Sequence, residues 1–309
     1  MKFLIAGTGG VGGFFGAKLA SKGHEVWFLA RGRHYEAMKH SGLHVDSTQG
    51  AFDVPPERVI AHPGDAGSNV DCVLFCVKAY DTASAARQLL GTGCERSLVL
   101  SLQNGIDNEE TIRPILPDAE VTGGVAYISS RIDAPGKILE TGGFQRIVYG
   151  SFNSEPSKRF HALGEAFHEA GIRADRAEDI TLELWKKFIF ISSMGGISAL
   201  TRLTQGEILD VEETRMITFE AMKETESVGM ALGVKLEPLE KEKVFESMAR
   251  FDRGTRASMY FDLINGKPME LEALSGTVMR LGRGQGIATP IHKTIYASLL
   301  PYHRKAEAK

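Results

Sequence analysis

Apolar runs and amphipathic helical patterns alternate along the first half of the chain. KFLIA at 2–6 predicts a strand, the next segment to Gly23 predicts a helix, and EVWFLAR at 25–31 predicts a second strand, which together make a β-α-β unit. Two further pairs follow, each an apolar strand and then a helix: DCVLFCV with DTASAARQLL, and SLVLSLQNG with IDNEETIRPILP. Strands that alternate with helices predict a doubly wound, Rossmann-type parallel sheet.

Two stretches break this alternation. LHVDSTQGAFDV predicts a hairpin around Gln49-Gly50, and residues 121–152 hold short strands separated by glycines, which favours antiparallel or mixed additions to the sheet. A helix over 157–171 and a strand over 172–177 then close the first half. We therefore expect an α/β dinucleotide-binding domain over residues 1–177.

Strand patterns disappear after about residue 178, and helical periods dominate the rest. The clearest helical segments are 181–196, 214–233, 239–251, 268–286 and 291–305. The pattern predicts an all-α domain over 178–309 that supplies substrate and catalytic groups. Its long helices after 205 could pair with a second copy in a homodimer, although an amphipathic helix usually covers the core of its own domain.

Composition narrows the class of partner. The net charge is −3 across 309 residues, which gives no global attraction for nucleic acid or an anionic membrane, and we expect a small-molecule partner. The three cysteines lack CxxC spacing and the nine histidines are scattered, so we expect reduced thiols and no metal site. The chain opens directly on a strand and has no long apolar run, from which we expect a cytoplasmic protein.

The loop after the first strand has the GxGxxG pattern of dinucleotide-binding proteins. It reads Gly7-Thr8-Gly9-Gly10-Val11-Gly12 and lies between a predicted strand and a predicted helix. The first glycine permits the turn, the second lets a pyrophosphate approach the backbone, and the third lets helix and strand pack closely. The free N–H groups at the start of the helix then favour a phosphate.

Three cationic or polar side chains at strand ends extend this predicted site. Arg31 follows the second strand, where NAD-binding proteins place an acid, and a guanidinium there favours the 2′-phosphate of NADP. Lys78 and Asn104 end two further strands, at the edge where open α/β sheets bind ligands.

The segment TLELWKKFIFISSMGG places two lysines in an apolar stretch. On a helix Lys187 shares its face with apolar side chains, whereas either Lys186 or Lys187 could pair with Glu183 in a solvated helical ion pair. Periodicity alone does not decide which lysine has a chemical role.

Several motifs together resemble the ketopantoate reductase (2-dehydropantoate 2-reductase) family, within the 6-phosphogluconate-dehydrogenase-like superfamily. They are GTGGVG with Arg31, VKAY at 77–80, QNG at 103–105, ELWKK at 183–187, Ser258-Met259 with Glu270 twelve residues after the serine, and GIATP at 286–290. The resemblance covers essentially the whole chain and implies an NADPH-dependent oxidoreductase that reduces a 2-keto acid.

The resemblance also implies roles for single residues. Lys187, the second lysine after the tryptophan, matches the proton donor, and Glu270 matches an acid that orients the donor or contacts cofactor ribose. Ser258 matches a serine that holds substrate, and Ser129 lies at a position near the cofactor. Desolvation would lower the pKa of such a lysine towards the useful range.

Two positions depart from the family pattern. Family members that reduce ketopantoate typically carry asparagines four and eight residues after the lysine, where this chain has Ile191 and Gly195. Each lost hydrogen bond to a buried polar group costs about 1–3 kcal/mol. Either a nearby serine substitutes (Ser192, Ser193 or Ser198), or the substrate is a bulkier, more apolar 2-keto acid against Ile191 and Met194. A third hypothesis is a non-catalytic NADPH-binding regulator.

Overall fold

The structure, a computed structural model, describes residues 1–142, 144–237, 240–248 and 253–308. Contacts between Cα atoms divide the chain into two compact units. The first contains residues 1–103 and 107–180, and the second contains residues 104–106 and 181–309. The chain therefore enters the second unit for three residues, returns to the first, and leaves it again at the start of a long helix.

An eight-stranded sheet forms the centre of the first unit. Its strands are β1 (Lys2–Ala6), β2 (Glu25–Leu29), β5 (Val59–Ile60), β6 (Cys72–Phe75), β7 (Leu98–Ser101), β8 (Glu120–Tyr127), β11 (Arg146–Gly150) and β12 (Arg173–Arg176). They lie in the order β12-β11-β8-β7-β6-β1-β2-β5, and only the β11–β8 pair is antiparallel among these described strands. The Rossmann-type doubly wound sheet predicted from the alternation is confirmed.

Helices cover this sheet, because strands such as β6 and β7 are apolar on both faces and need cover on both sides. The helices of the first unit are α1 (Gly10–Ser21), α2 (Gly32–Ser41), α3 (Thr82–Gln88), α4 (Asn108–Ile112) and α5 (Lys158–Glu169). Two separate apolar clusters result, one that includes Phe3, Phe14 and Phe28 and another that includes Leu4, Phe75 and Val99.

A second, four-stranded sheet belongs to the same unit. It contains β3 (Leu43–Ser47), β4 (Gly50–Val54), β9 (Ser130–Ala134) and β10 (Lys137–Glu140), in the order β4-β3-β10-β9. Ser47 pairs with Gly50, so the hairpin predicted around Gln49-Gly50 is confirmed. Strands β5 and β9 were not predicted, because β5 has only two residues and neither strand has a clean period-two pattern of apolar positions.

The second unit is helical in the part of the chain that the structure describes, as predicted. Its helices are α6 (Ile180–Thr201), α7 (Gln205–Asp210), α8 (Glu212–Ala231), α9 (Glu240–Met248), α10 (Ser258–Ile264), α11 (Thr277–Gly284) and α12 (Pro290–Glu307). Helix α6 begins at the last residue of the first unit. The ends of the predicted helix 239–251, at residue 239 and at 249–251, lie outside the described residues.

The predicted continuous helix over 268–286 is wrong in its first part. A π-helical turn occupies Glu272–Gly276, and the regular helix α11 begins only at Thr277. Single π turns interrupt the regular hydrogen-bond ladder and often lie at functional sites. The amphipathic period does not show such an interruption, since the same side chains stay on the buried face.

Two of the three thiols, Cys72 and Cys94, are buried, and none of the three forms a disulfide. Burial raises the pKa of Cys76 to about 12, which leaves this thiol protonated and unreactive. Among the described residues, no helix has both the length and the apolar character that crossing a membrane requires.

Candidate active site

The turn after β1 depends on glycine at two points. Gly7 has a φ of +102°, and a Cβ placed on it would lie 2.7 Å from the backbone nitrogen of Val77. A Cβ on Gly12 would collide with the carbonyl oxygen of Gly7. Only glycine allows this conformation and this close packing, so the first and third glycines of the motif have the structural reasons expected of them.

The middle glycine differs because it faces open space. No atom lies within 4 Å of a Cβ placed on Gly9, which precedes α1 and gives that helix no side-chain cap. The first turn of α1 also contains no acidic residue, and Thr8 is fixed through its hydroxyl, which donates to the carbonyl of Leu29 over 2.9 Å. Uncapped N–H groups beside empty space suit a phosphate, so the loop fits a dinucleotide pyrophosphate.

Arg31 lies just beyond β2, at the N-cap position of α2, where its side chain makes no capping hydrogen bond. Its side chain is 81% exposed and pairs with the carboxylate of Asp81, which is in the short 3-10 turn Ala79–Asp81. Lys78 immediately precedes that turn, after β6. The structure therefore brings Arg31 to the loop that contains Lys78, within the first unit.

Ser129 lies between β8 and β9, and its hydroxyl shares a hydrogen bond of 2.9 Å with that of Thr141. The next residue, Ser130, packs its carbonyl oxygen 2.5 Å from where a Cβ of Gly10 would be. The Ser130 hydroxyl is buried and has no hydrogen-bond partner among the described residues. Sequence reasoning missed Ser130, since nothing in its local pattern shows that it reaches the glycine loop.

A buried polar cluster joins the turns that follow β6 and β7. The Thr82 hydroxyl accepts from the Gln103 amide at 2.7 Å and lies within 2.8 Å of the Ala79 carbonyl and 3.0 Å of the Asn108 side chain. Burial raises the pKa of the neighbouring Glu109 to about 7. This cluster was also missed, because Gln103 and Asn108 lie more than 20 positions after Thr82 in the sequence.

The two adjacent lysines of α6 have different environments. Lys186 pairs with Glu183 at 3.0 Å and is the solvated half of a helical ion pair. Burial lowers the pKa of Lys187 to about 8, and the nearby carboxylate of Glu270 acts against that shift by favouring the charged ammonium. A lysine with this pKa can release a proton near neutral pH.

Glu270 is 5% exposed and accepts a hydrogen bond of 3.1 Å from the side-chain amide of Asn104. Asn104 belongs to the second unit, as do Glu270 and Lys187. The structure thus brings together three of the residues singled out in the sequence, which are separated by up to 166 positions. The arrangement couples a desolvated ammonium to a carboxylate that an amide holds in place.

The remaining predicted substrate residues also lie in the second unit. Ser258 is exposed at the start of α10, and Ile191 is partly buried on α6. Gly195 is buried, yet a Cβ placed on it would meet only Leu274, at 3.8 Å. Met194, expected to line a substrate pocket with Ile191, is instead 3% exposed in the apolar core of the unit.

The serines considered as replacements for the absent asparagines are buried. The Ser192 hydroxyl pairs with Thr225 at 3.2 Å, and the Ser198 hydroxyl donates to the carbonyl of Leu203 at 3.0 Å. Ser193 is fully buried, and its hydroxyl lacks a partner among the described residues. Two of these three serines therefore already have their hydrogen bonds within the unit.

Comparison with known proteins shows the family of the chain. The family model described as ketopantoate reductase PanE/ApbA matches residues 3–154, and the model of the C-terminal part of that family matches residues 179–303. The chain is 32% identical to the uncharacterized oxidoreductase YkpB of Bacillus subtilis, over 98% of this chain and 99% of that protein.

Two further relatives have names that describe a reaction or a family. A 2-dehydropantoate 2-reductase of Mesorhizobium japonicum is 31% identical over 96% of each chain. The crystal structure of a PanE/ApbA family ketopantoate reductase from Ralstonia eutropha has a TM-score of 0.89 at 31% identity, over 99% of this chain and 100% of that one. The chain belongs to the ketopantoate reductase family and is an oxidoreductase that uses a nicotinamide dinucleotide.

Proposed function

We propose that this protein uses NADPH to reduce a 2-keto acid to the 2-hydroxy acid, with ketopantoate as the first candidate substrate and Lys187 as the proton donor. The observation that carries the proposal is the desolvated Lys187 ammonium, whose pKa is lowered to about 8 beside the Glu270 carboxylate. If ketopantoate is the substrate, the product pantoate would serve pantothenate biosynthesis.

When bound, NADPH supplies a hydride to the carbonyl carbon of the substrate. The oxygen of that carbonyl becomes an alkoxide and needs a proton, which the Lys187 ammonium donates. Glu270 keeps a useful share of Lys187 protonated, because its negative charge opposes the effect of burial. Asn104 orients Glu270 through the hydrogen bond that its amide donates.

In this proposal residues 1–177 form the NADP-binding domain. The turn Gly7–Gly12, with Thr8 and Val11 between its glycines, would hold the pyrophosphate through N–H groups at the start of α1. Arg31 would hold the 2′-phosphate, and this requires its guanidinium to release or share Asp81. Lys78, Asn104 and Ser129 are the other proposed cofactor contacts.

Residues 178–309 form the proposed substrate and catalytic domain, with Ser258 and Ile191 as substrate contacts beside Lys187. The second candidate is a bulkier, more apolar 2-keto acid, and a specific observation favours it. Ile191 offers an apolar side chain, and a Cβ placed on Gly195 would meet only the apolar side chain of Leu274, at 3.8 Å. Such a surface suits a hydrocarbon side chain better than the hydroxyl of ketopantoate.

The experiment is steady-state oxidation of NADPH with ketopantoate beside phenylpyruvate and ketoisocaproate, repeated with Lys187→Ala and Lys186→Ala. We expect one 2-keto acid to be preferred, Lys187→Ala to lose about 10²–10⁴-fold in kcat, and Lys186→Ala to stay near the wild type. Preference for a bulkier 2-keto acid would support the proposed mechanism and show that ketopantoate is not the preferred substrate. No oxidation with any acid would favour the regulator hypothesis.

We further propose a cytoplasmic location and a homodimer. Several relatives are small-substrate reductases, and one solved relative with 20% identity, from Staphylococcus aureus, is described as dimeric, although at that identity the likeness extends only to the fold. Light scattering coupled to gel filtration would give the mass of the assembly directly. A monomer at micromolar concentration would contradict the dimer.

A further inference from the structure

Helix α12 carries two histidines on its buried face. His292, Ile295, Leu299 and His303 follow the spacing of one helical stripe, and all four are at most 5% exposed. The histidines are eleven positions apart, which is three helical turns, so they lie at opposite ends of the same stripe. Polar rings at both ends of an apolar stripe need partners, because an unpaired buried polar group is costly.

His303 binds the backbone at the residue before Glu270. Its Nδ1 accepts a hydrogen bond of 3.1 Å from the N–H of Met269. Because an N–H group only donates, Nδ1 carries no proton, and the proton of the neutral ring is on Nε2. Nε2 lies 3.3 Å from a carboxylate oxygen of Glu307, one turn further along α12. The ring therefore has one defined tautomer and orientation.

His292 binds the π turn that follows Glu270. Its Nε2 lies 3.0 Å from the carbonyl oxygen of Ala221 and 2.9 Å from the Thr225 hydroxyl. A carbonyl only accepts, so Nε2 carries the proton, and Nδ1 accepts from the Ser275 hydroxyl at 3.3 Å. Burial lowers the pKa of His292 to about 4, which keeps this ring neutral at physiological pH.

The two histidines thus hold both sides of the short segment that contains Glu270. Met269 lies immediately before Glu270, and Ser275 belongs to the π turn over Glu272–Gly276. A π turn interrupts the regular hydrogen bonds between residues four apart. The N–H of Leu274 donates to the carbonyl of Glu270 at 3.1 Å, and the N–H of Gly276 donates across five residues to the carbonyl of Leu271 at 3.0 Å.

We propose that His303 and His292 are positioning residues, which hold the segment from Met269 to Ser275 on α12 and thereby fix the Glu270 carboxylate with respect to Lys187. The proposal rests on the proposed roles of Lys187 and Glu270. Neither histidine contacts substrate in this account; both act through Glu270. The same network reaches the helix of Lys187, since Thr225 also pairs with Ser192 on α6.

Two substitutions of His303 separate positioning from simple packing. In His303→Asn the amide oxygen takes about the place of Nδ1, so the hydrogen bond from Met269 is retained. In His303→Gln the amide extends further and leaves that N–H without an acceptor. Ser275→Ala is the corresponding variant at the other end, because it removes the donor to His292. Tyr302→Ala is the control, since Tyr302 is 54% exposed on the same helix.

The measurement is the pKa of Lys187, taken from the ¹³C signals of reductively methylated protein without substrate or cofactor and assigned by the signal that Lys187→Arg lacks. We expect His303→Gln and Ser275→Ala to lower this pKa by about half a unit or more, because a displaced Glu270 stabilises the ammonium less. His303→Asn and Tyr302→Ala should leave it within about 0.2 units. Thermal midpoints, recorded in parallel, report any general loss of stability.

Equal pKa values in His303→Gln and His303→Asn, with equal losses in thermal midpoint, would overturn the proposal and leave the histidines a packing role. A wild-type Lys187 pKa near the ordinary value of about 10.4 would overturn it as well. The readout needs no turnover. If the Lys187 pKa falls in His303→Gln and Ser275→Ala but not in His303→Asn or Tyr302→Ala, and no 2-keto acid is reduced, the positioning proposal stands and the proposed function fails.

Discussion

The glycine loop of the first unit and the lysine site of the second unit obtain their chemical properties in opposite ways. In the loop the decisive feature is the absence of side chains: Gly7 has a φ of +102°, and nothing lies within 4 Å of a Cβ on Gly9. At the lysine site the decisive feature is the presence of neighbours. Burial lowers the pKa of Lys187 to about 8, and Glu270 opposes that shift.

This difference determines how visible each site is in the sequence. A backbone conformation is encoded locally, so six consecutive residues suffice to recognise the loop. A pKa depends on groups that folding brings together, and Lys186 and Lys187 look alike in the sequence although only one is desolvated. The two sites should therefore respond differently to substitution.

The largest expected effect is at the loop. Gly9 has extended backbone angles that any residue can adopt, so Gly9→Asp should fold normally, and aspartate is a good helix cap. Its carboxylate would meet the pyrophosphate, and like charges in contact cost several kcal/mol, so the affinity for NADPH should fall by about 100-fold or more. Fluorescence titration with NADPH measures this.

Gly12→Ala is the matched variant for that prediction. Its Cβ would collide with the carbonyl of Gly7, so the thermal midpoint of this variant should be lower than that of the wild type even without NADPH. Wild-type affinity in Gly9→Asp would show that the open space at Gly9 is not the pyrophosphate site.

The next effect concerns pH at the lysine site. Lys187 must be protonated to act as an acid, so kcat should be constant below its pKa of about 8 and fall about tenfold per pH unit above it. Glu270 raises this pKa, so Glu270→Gln should move the fall to lower pH. The pH profiles of kcat for the wild type and for Glu270→Gln test the direction of this shift. A profile that rises above pH 8 is incompatible with Lys187 as the proton donor.

Arg31 gives a smaller change in the first unit. Arg31→Ala should weaken NADPH binding by about tenfold, the loss of one charge-assisted contact, and leave NADH binding unchanged. Arg33→Ala, at an exposed neighbouring arginine, is the control. Dissociation constants for NADPH and NADH test this prediction. An equal loss of affinity for the two cofactors would rule out a contact between Arg31 and the 2′-phosphate.

The last prediction concerns stability at the two lysines, and it includes the smallest change, that of Lys186→Met. At pH 7 the partly buried Lys187 ammonium destabilises the folded state by on the order of 2–4 kcal/mol, given a pKa lowered to about 8. Lys187→Met should therefore raise the thermal midpoint by a few degrees while it abolishes activity. Lys186→Met removes only an ion pair with Glu183 and should change stability by less than about 0.5 kcal/mol. Equal shifts of the thermal midpoint in Lys187→Met and Lys186→Met would contradict the predicted difference between the two lysines.

Most of the fold follows from periodicity, because each long element has its own pattern of buried positions. The order of strands and helices in the first unit, the hairpin at Gln49-Gly50 and the helical second unit are confirmed by the structure. The π turn over Glu272–Gly276 was not predicted, since it keeps the same residues buried as a regular helix would.

Less of the candidate site could be read from the sequence. The proximity of Asn104 to Glu270 joins residues 166 positions apart, and no local pattern contains that information. The resemblance to a family supplied Lys187 and Glu270 as candidates, whereas the residues that surround them emerge only in three dimensions. The same holds for Ser130 beside Gly10 and for the buried cluster of Thr82, Gln103 and Asn108.

The space at Gly195 has a consequence for how this chain could diversify. A Cβ introduced there would meet only Leu274, at 3.8 Å, so Gly195→Ala adds a methyl group without a collision. Lys187 lies two turns away on the same helix and would keep its neighbours. If position 195 lines the substrate site as proposed, single substitutions there would change substrate preference and leave the proposed proton-transfer groups in place, so this position is the first choice for a saturation library.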